Sequence, residues 1–433
     1  MQLRREVGLW GAVLMGLGSI VGTGVFVSIG LGAEIVGPAV VLAILVAAFV
    51  AAANGLSSAQ LAASHPVSGG TYEYGYQYLN PRLGFTAGWM FLCAKSASAA
   101  TAALGFSGYL LNLLGVEQPL IRILVAVAVV ALLTVVILGG IRSSNRTNTL
   151  IVSITLAALL FFVMAGLPGA LQRAGDNLTP FFAPVAGDPP WRAFLHATAL
   201  MFVAYTGYGR IATLGEEVHD PQRTIPRAIV TTLVVTMALY MAVGFTGVAY
   251  VGAESFAELT RATAAPLEAI ARLFGIPGAG LILALGAMTA MLGVLLNLLL
   301  GLSRVLLAMG RRRDMPAAVA AVDVGRSTPT VAVLVMGVVV GVLALVGSAK
   351  VTWSFSAFTV LIYYAITNLA ALQLPRARRL FPRWIAWVGL AACVFLAFWV
   401  EPIYWAAGLG MIGLGLVVQV VMQRRSLNHD AQD

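Results

Sequence analysis

The chain is a succession of apolar runs separated by short breaks rich in Pro, Gly and Arg. About 20 apolar residues are what an α-helix needs to cross the hydrocarbon of a bilayer. Within that hydrocarbon the backbone polar groups must be satisfied inside the protein. Such a chain is confined to a bundle of membrane-crossing helices. The runs predict an all-α polytopic membrane protein with twelve spans, over 9–32, 38–63, 84–112, 120–140, 148–168, 192–213, 228–251, 278–308, 329–347, 353–373, 384–400 and 403–422. Only 10% of the residues are charged, against about 25% in soluble domains.

The net charge of +9 points to topology. With the N-terminus inside, 19 of the 26 basic residues, among them Arg304, Arg311, Arg312, Arg376 and Arg379, fall in cytoplasmic segments or span ends. Six (Arg122, Arg173, Arg192, Arg261, Arg272 and Lys350) fall outside, and Lys95 sits within a span. Basic residues are retained on the cytoplasmic side, so both termini are expected there, in a protein of the cell's inner (plasma) membrane. The partner this charge implies is the lipid bilayer, with no nucleic acid. Cys93 and Cys393 both lie in apolar runs, which leaves no disulfide framework and no metal cluster. Arg4-Arg5 ahead of an apolar run imitates a secretory signal, but the run is too long and too glycine-rich, and it reads as a retained first helix.

That first run is interrupted. Gly16, Gly18, Gly22 and Gly24 fall within nine residues, each weakening a helix by about 1 kcal/mol relative to alanine. One reading is a helix broken near the midplane, tolerated only where the bared backbone is buried or lines a cavity. The other is a packing face of small residues, Gly18 with Gly22. A second interruption, Phe202-Val203-Ala204-Tyr205-Thr206-Gly207-Tyr208-Gly209, falls in the sixth span. The two breaks are five spans apart. Five is odd, so two five-span units in series insert with opposite orientation, the inverted repeat of many carriers. This favours a binding site over packing, with units over 1–190 and 191–375 and two further helices over 376–433.

The motifs, in order, are Gly18-Ser19-Ile20-Val21-Gly22-Thr23-Gly24-Val25-Phe26, Pro66 to Tyr74, Ala204-Tyr205-Thr206-Gly207-Tyr208 leading to Glu216-Glu217-Val218, Pro221 to Ile229, and Ser303-Arg304 with Asp314-Met315-Pro316. With them the chain resembles the amino acid–polyamine–organocation superfamily of permeases over spans one to ten. The resemblance implies the leucine-transporter-type fold and transport of amino acids or related amines. It puts the substrate on Gly18, Ser19, Ile20, Gly22, Thr23 and Gly24 of the first break and on Phe202, Val203, Ala204, Tyr205 and Thr206 of the second. Where relatives carry a bulkier aromatic, this chain has Val203.

A dry site must satisfy both charges of an amino acid. Unwound N–H groups between Ser19 and Gly24, at a half-helix N-terminus, suit a carboxylate. Carbonyls near Gly18 and Ile20 and at Phe202 to Tyr205 suit an ammonium. Lys95 is a cation placed at a costly depth, hence a functional candidate, against a lysine that is always charged or snorkels. Withdrawal from water disfavours its charged form, which makes it a candidate proton carrier or fixed counter-ion. Proton-coupled relatives carry a lysine where this chain has Thr155. The sodium-binding hydroxyls of other relatives correspond to Leu292 and Gly293, so sodium coupling is disfavoured. Glu216 and Glu217 are read as gate carboxylates with Arg210 as their partner, His196 as a packed, hydrogen-bonded residue, Tyr363 and Tyr364 as path lining or core, and Asn297 as an interhelical hydrogen-bonding residue.

The expected function is alternating-access transport of small neutral amino acids, with a proton as the coupling ion or by exchange, independent of sodium and without a cofactor. A permease for cationic amino acids or polyamines and an exporter are the alternatives. A channel is less favoured because no filter motif is visible. Enzyme chemistry is not expected because no metal cluster, phosphate loop or nucleophile set is present.

Overall fold

The computed structural model describes residues 7–66, 69–140, 145–184, 187–212, 218–263, 265–323 and 328–430. Among them the secondary structure is helical, apart from two isolated bridges, Val7 with Val218 and Asp323 with Thr328. Helix α1 (Leu9–Ile20) ends at a bend over Val21 and Gly22. A π-type turn, Gly24–Ser28, then leads into α2 (Ile29–Val36). Gly37, with φ +67°, reverses the chain into α3 (Val40–Ser64). Next come α4 (Thr71–Tyr78), α5 (Pro81–Leu113), α6 (Pro119–Leu138), α7 (Asn145–Asn177) and α8 (Pro190–Tyr205). A 3-10 turn, Thr206–Tyr208, separates α8 from α9 (Gly209–Ala212). The remainder is α10 (Pro221–Val251), α11 (Ala253–Thr263), α12 (Pro266–Arg272), α13 (Ala279–Arg311), α14 (Thr330–Ala344), α15 (Ala349–Leu372), α16 (Arg383–Ala397) and α17 (Pro402–Asp430).

Seven helical runs among the described residues are long and apolar enough to cross a membrane. Large apolar side chains such as Leu132 and Val135 on α6, Met164 on α7 and Val417 on α17 face outward. In water such a surface would drive aggregation; facing lipid tails it needs no cover. The chain is a multi-pass membrane protein. Helices occur at every run where the sequence predicts a span, though α14 and α16 have only 15 residues each, about 22 Å at 1.5 Å per residue. Helix α7 continues past the predicted limit of 168, through Pro168. Gly166 and Gly169 there pack against Phe274 and Tyr250, and tertiary contact holds the turn that a proline alone would end.

Helices α5 and α15 form the centre of the bundle. Their facing hydroxyls pair inside it, Ser98 with Ser356 at 2.8 Å and Thr101 with Thr352 at 2.7 Å. Helix α8 packs against α15, and the two interrupted runs meet each other backbone to backbone. Gly207 lies so close to the Ser19 carbonyl that a Cβ would overlap it. Gly24 faces Ala204, where a Cβ would come within 2.7 Å of the alanine methyl. Gly18 packs on Asn148 and Val152 of α7, and Gly22 on Val294 of α13. Both readings of the glycine cluster therefore hold at different residues: the helix is interrupted, and Gly18 and Gly22 are also packing positions.

Gly207→Ala is expected to destabilise the protein by about 1–3 kcal/mol, because a methyl group must be forced between two backbones. Gly341→Ala, where nothing lies within 4 Å of the added carbon, should be neutral or stabilising by up to about 1 kcal/mol. Thermal midpoints of the two purified variants make the comparison, and equal midpoints would refute the contact.

Candidate binding cavity between two interrupted helices

The cavity encloses about 880 Å³ and reaches from the two interruptions to the end of the bundle that carries Glu73, Arg304, Arg311 and Arg312. Ser19, Ile20, Thr23 and Gly24 line it from the first interruption, and Val203, Ala204, Thr206 and Gly207 from the second. Lys95 and Ser98 of α5 and Tyr363 and Tyr364 of α15 complete its inner wall.

The half-helices present opposite poles to this space. Gly22 accepts from the N–H groups of Val25 (3.1 Å) and Phe26 (3.2 Å), as a residue opening a helix does. The N–H groups of Gly22 and Thr23 find no acceptor among the described residues. The Thr23 hydroxyl is buried and also without a partner there. This is the positive end of a helix, supplied with unused donors. Helix α8 arrives from the same side of the bundle with its C-terminal, negative end. Val203 O and Ala204 O at this end, and Thr206 O in the turn beyond it, already have donors. The Thr206 amide and hydroxyl both donate to Val203 O, the hydroxyl at 2.8 Å. Tyr364 Oη donates to Thr206 O at 3.1 Å. Lys95 Nζ donates to Thr206 Oγ1 at 2.9 Å and lies 3.4 Å from Thr206 O. The Tyr240 hydroxyl of α10 bridges the interruptions, 2.9 Å from Ile20 O and 3.4 Å from Ala204 O.

The end away from the arginines is closed. Tyr109 Oη donates to Phe26 O at 2.8 Å, and Trp353 Nε1 to Leu200 O at 3.1 Å. Beyond them the carboxylate of Glu34 on α2 meets Lys350 of α15 at 3.2 Å and Arg261 of α11 at 3.8 Å. At the mouth, Glu73 of α4 pairs with Arg312 just past α13. Asp314 accepts from Tyr72 at 2.7 Å and Tyr76 at 2.6 Å. Burial first, and then the Asp314 bond, push both phenols well above their ordinary value. The Glu73 bond raises the Arg312 guanidinium.

Of the residues singled out in the sequence, Ser19, Ile20, Thr23, Gly24, Val203, Ala204, Thr206, Lys95 and Arg210 come together around the cavity. Gly18, Gly22, Phe202, Tyr205 and Thr155 are not in its lining. Phe202 packs edge-on against Tyr364, Tyr205 donates to Ile44 O at 3.2 Å, and Thr155 returns its hydroxyl to Ile151 O of its own helix at 2.8 Å. Lys95 reaches the second interruption, and Thr155 lies on α7. Glu216 and Glu217 lie outside the described residues, as do the basic residues Arg4, Arg5, Arg142 and Arg326. His196 was expected to be hydrogen-bonded, yet its Nε2 is buried with no partner among the described residues. Asn297 lines the cavity. The sequence gives no sign of Tyr240, Tyr109, Trp353 or the Glu34 cluster. Each is an ordinary residue of an apolar run or a loop end, brought in by a distant element.

The chain matches the family model described as amino acid permease over residues 11–427. It is 40% identical over 439 residues to an uncharacterized transporter of Mycobacterium tuberculosis (strain ATCC 25618 / H37Rv), covering 100% of this chain and 95% of that one. It is 29% identical to the branched-chain amino acid permease BcaP of Bacillus subtilis (strain 168), over 77% of this chain and 73% of the relative. With the vacuolar cationic amino acid transporter 4 of Arabidopsis thaliana it shares 26% identity, over 79% and 58%.

Tyr240→Phe removes the hydroxyl that serves Ile20 O and Ala204 O. We expect it to cost about 1–3 kcal/mol as a buried acceptor loses its donor, read as a lowered thermal midpoint. An unchanged midpoint would mean that the bridge contributes nothing.

Proposed function

The chain belongs to the amino acid permease family, and on that premise we propose that it is a secondary carrier moving amino acids across the cytoplasmic membrane by alternating access. The observation that carries the proposal is the pair of half-helix ends of opposite polarity, both facing a cavity that opens toward the arginine-rich end and is sealed at the other. A carboxylate at the N–H groups of Gly22 and Thr23 satisfies donors that otherwise have no partner. The ends of α1 and α8 supply the opposite pole.

In this reading the twelve helical runs form two five-span units of opposite orientation, over 1–190 and 191–375, followed by two further spans over 376–433. Both termini lie on the cytoplasmic side, so the cavity is the inward-facing state. The Glu34 cluster and the Tyr109 and Trp353 bonds are the outer closure that must part in the outward-facing state. Glu216 and Glu217, with Arg210, belong to the inner closure. Coupling is to a proton or to a second substrate. The position corresponding to the sodium-binding hydroxyls favours this, because Gly293 meets the side chain of Ile151 and brings no oxygen ligand of its own.

A cationic side chain is disfavoured. Glu73 is the one carboxylate among the described residues lining the cavity, and it is paired with Arg312. An ammonium or guanidinium deep in the site would face Lys95 without a counter-charge. The relatives carry branched-chain substrates in one case and cationic ones in another, and the charge of the cavity speaks against the cationic class.

Reconstituted in liposomes preloaded with unlabelled amino acid, the protein should give saturable counterflow of the labelled compound, unchanged when choline replaces sodium. Flux proportional to concentration, with no counterflow, would point to a channel, and sodium dependence would overturn the coupling assignment. A Met15→Cys variant in a Cys93→Ser background should react with a membrane-impermeant thiol reagent in inside-out vesicles and stay protected in intact cells. Labelling from outside alone would reverse the topology.

A further inference from the structure

We propose that the preferred substrate is an acidic amino acid and that Lys95 is the counter-ion for its second carboxylate. The inference rests on the transport reading above and narrows it to one substrate class.

The C-terminal end of α8 carries the negative pole of its helix. A helix end of negative polarity is a seat for a cation, and in a site for a zwitterion that cation would ordinarily be the substrate's ammonium. Here the seat is filled by the chain itself. Lys95 Nζ holds both the hydroxyl and the carbonyl of Thr206, and Tyr364 takes a further share of that carbonyl. Val203 O already accepts twice. An incoming ammonium would find these acceptors taken and a like charge beside them, a repulsive arrangement in a low-dielectric setting. One acceptor remains where Ile20 O and Ala204 O share the single proton of Tyr240, which suffices for one α-ammonium.

The groups left without partners are donors. They are the N–H groups of Gly22 and Thr23 and the Thr23 hydroxyl; the Lys95 ammonium, held by Thr206, has no carboxylate partner among the described residues. Lys95 is 7% exposed. A buried cation of this kind calls for an anion to pair with it. Arg304 and Arg311 line the path from the mouth, and a channel of one sign draws the opposite sign inward. Two carboxylates and one ammonium match this arrangement: one carboxylate on the first interruption, the ammonium on the Ile20 and Ala204 carbonyls, the second carboxylate on Lys95. The neutral substrate expected from the sequence would leave Lys95 unpaired.

The test measures binding of L-glutamate, L-aspartate, L-glutamine and L-asparagine to the purified full-length protein by calorimetry, since each acid and its amide are nearly the same shape. The better acid should bind at least ~10-fold more tightly than its own amide, the scale of one buried charge pair. Lys95→Gln, which keeps a donor for Thr206 and loses the charge, should abolish that preference with less than ~3-fold change for the amide. Lys95→Arg should retain it. Parallel loss of acid and amide binding in Lys95→Gln would mean a structural lysine and would overturn the inference. So would wild-type protein that binds the amide as tightly as the acid, with the carrier reading left standing. If none of the twenty common amino acids binds or shows counterflow, that reading falls as well.

Discussion

A backbone that stops being helical inside a membrane must find new partners for every group it bares, and this bundle is arranged around that requirement. Two runs are interrupted at the same depth, and the elements around them answer the need group by group. Tyr240 serves Ile20 and Ala204, Tyr364 and Lys95 serve Thr206, and Tyr109 serves Phe26. What is left unserved is the N–H groups of Gly22 and Thr23 and the Thr23 hydroxyl, and of these two residues Thr23 lines the cavity. Under the proposed function the site is defined by subtraction: its specificity lies in which of the bared groups the protein leaves unanswered.

The sequence carried a good part of this. Glycines concentrated where an apolar run should be uninterrupted located both breaks. Lys95 stood out because a cation at that depth is costly. The partners were not legible. Tyr240 lies 220 residues from Ile20 along the chain, in a helix whose own periodicity says only which face is apolar. A sequence shows that a helix is broken and gives no account of which distant side chains arrive to cap the broken end. Gly18 and Gly22 show the converse, since one small residue can permit an interruption and a close helix contact together, and the pattern does not separate the two.

The charges outside the bilayer do a different kind of work. Glu34 joins α2, α11 and α15 at one end, and Glu73 with Arg312 joins α4 to the end of α13 at the other. Exposed pairs of this sort contribute little to stability in isolation. Their value here lies in location, because each joins an element of the cavity wall to a separate element across a seam.

The contact of Gly207 with Ser19 has a mechanical consequence. Two main chains that touch with no side chain between them have no rotamer to turn and no compressible padding to take up a shift. Tilting one half-helix therefore pushes directly on the other, as at the fulcrum of a pair of shears. In the proposed carrier cycle, opening on one face and closing on the other would become a single stroke, and a methyl group at that pivot would jam it.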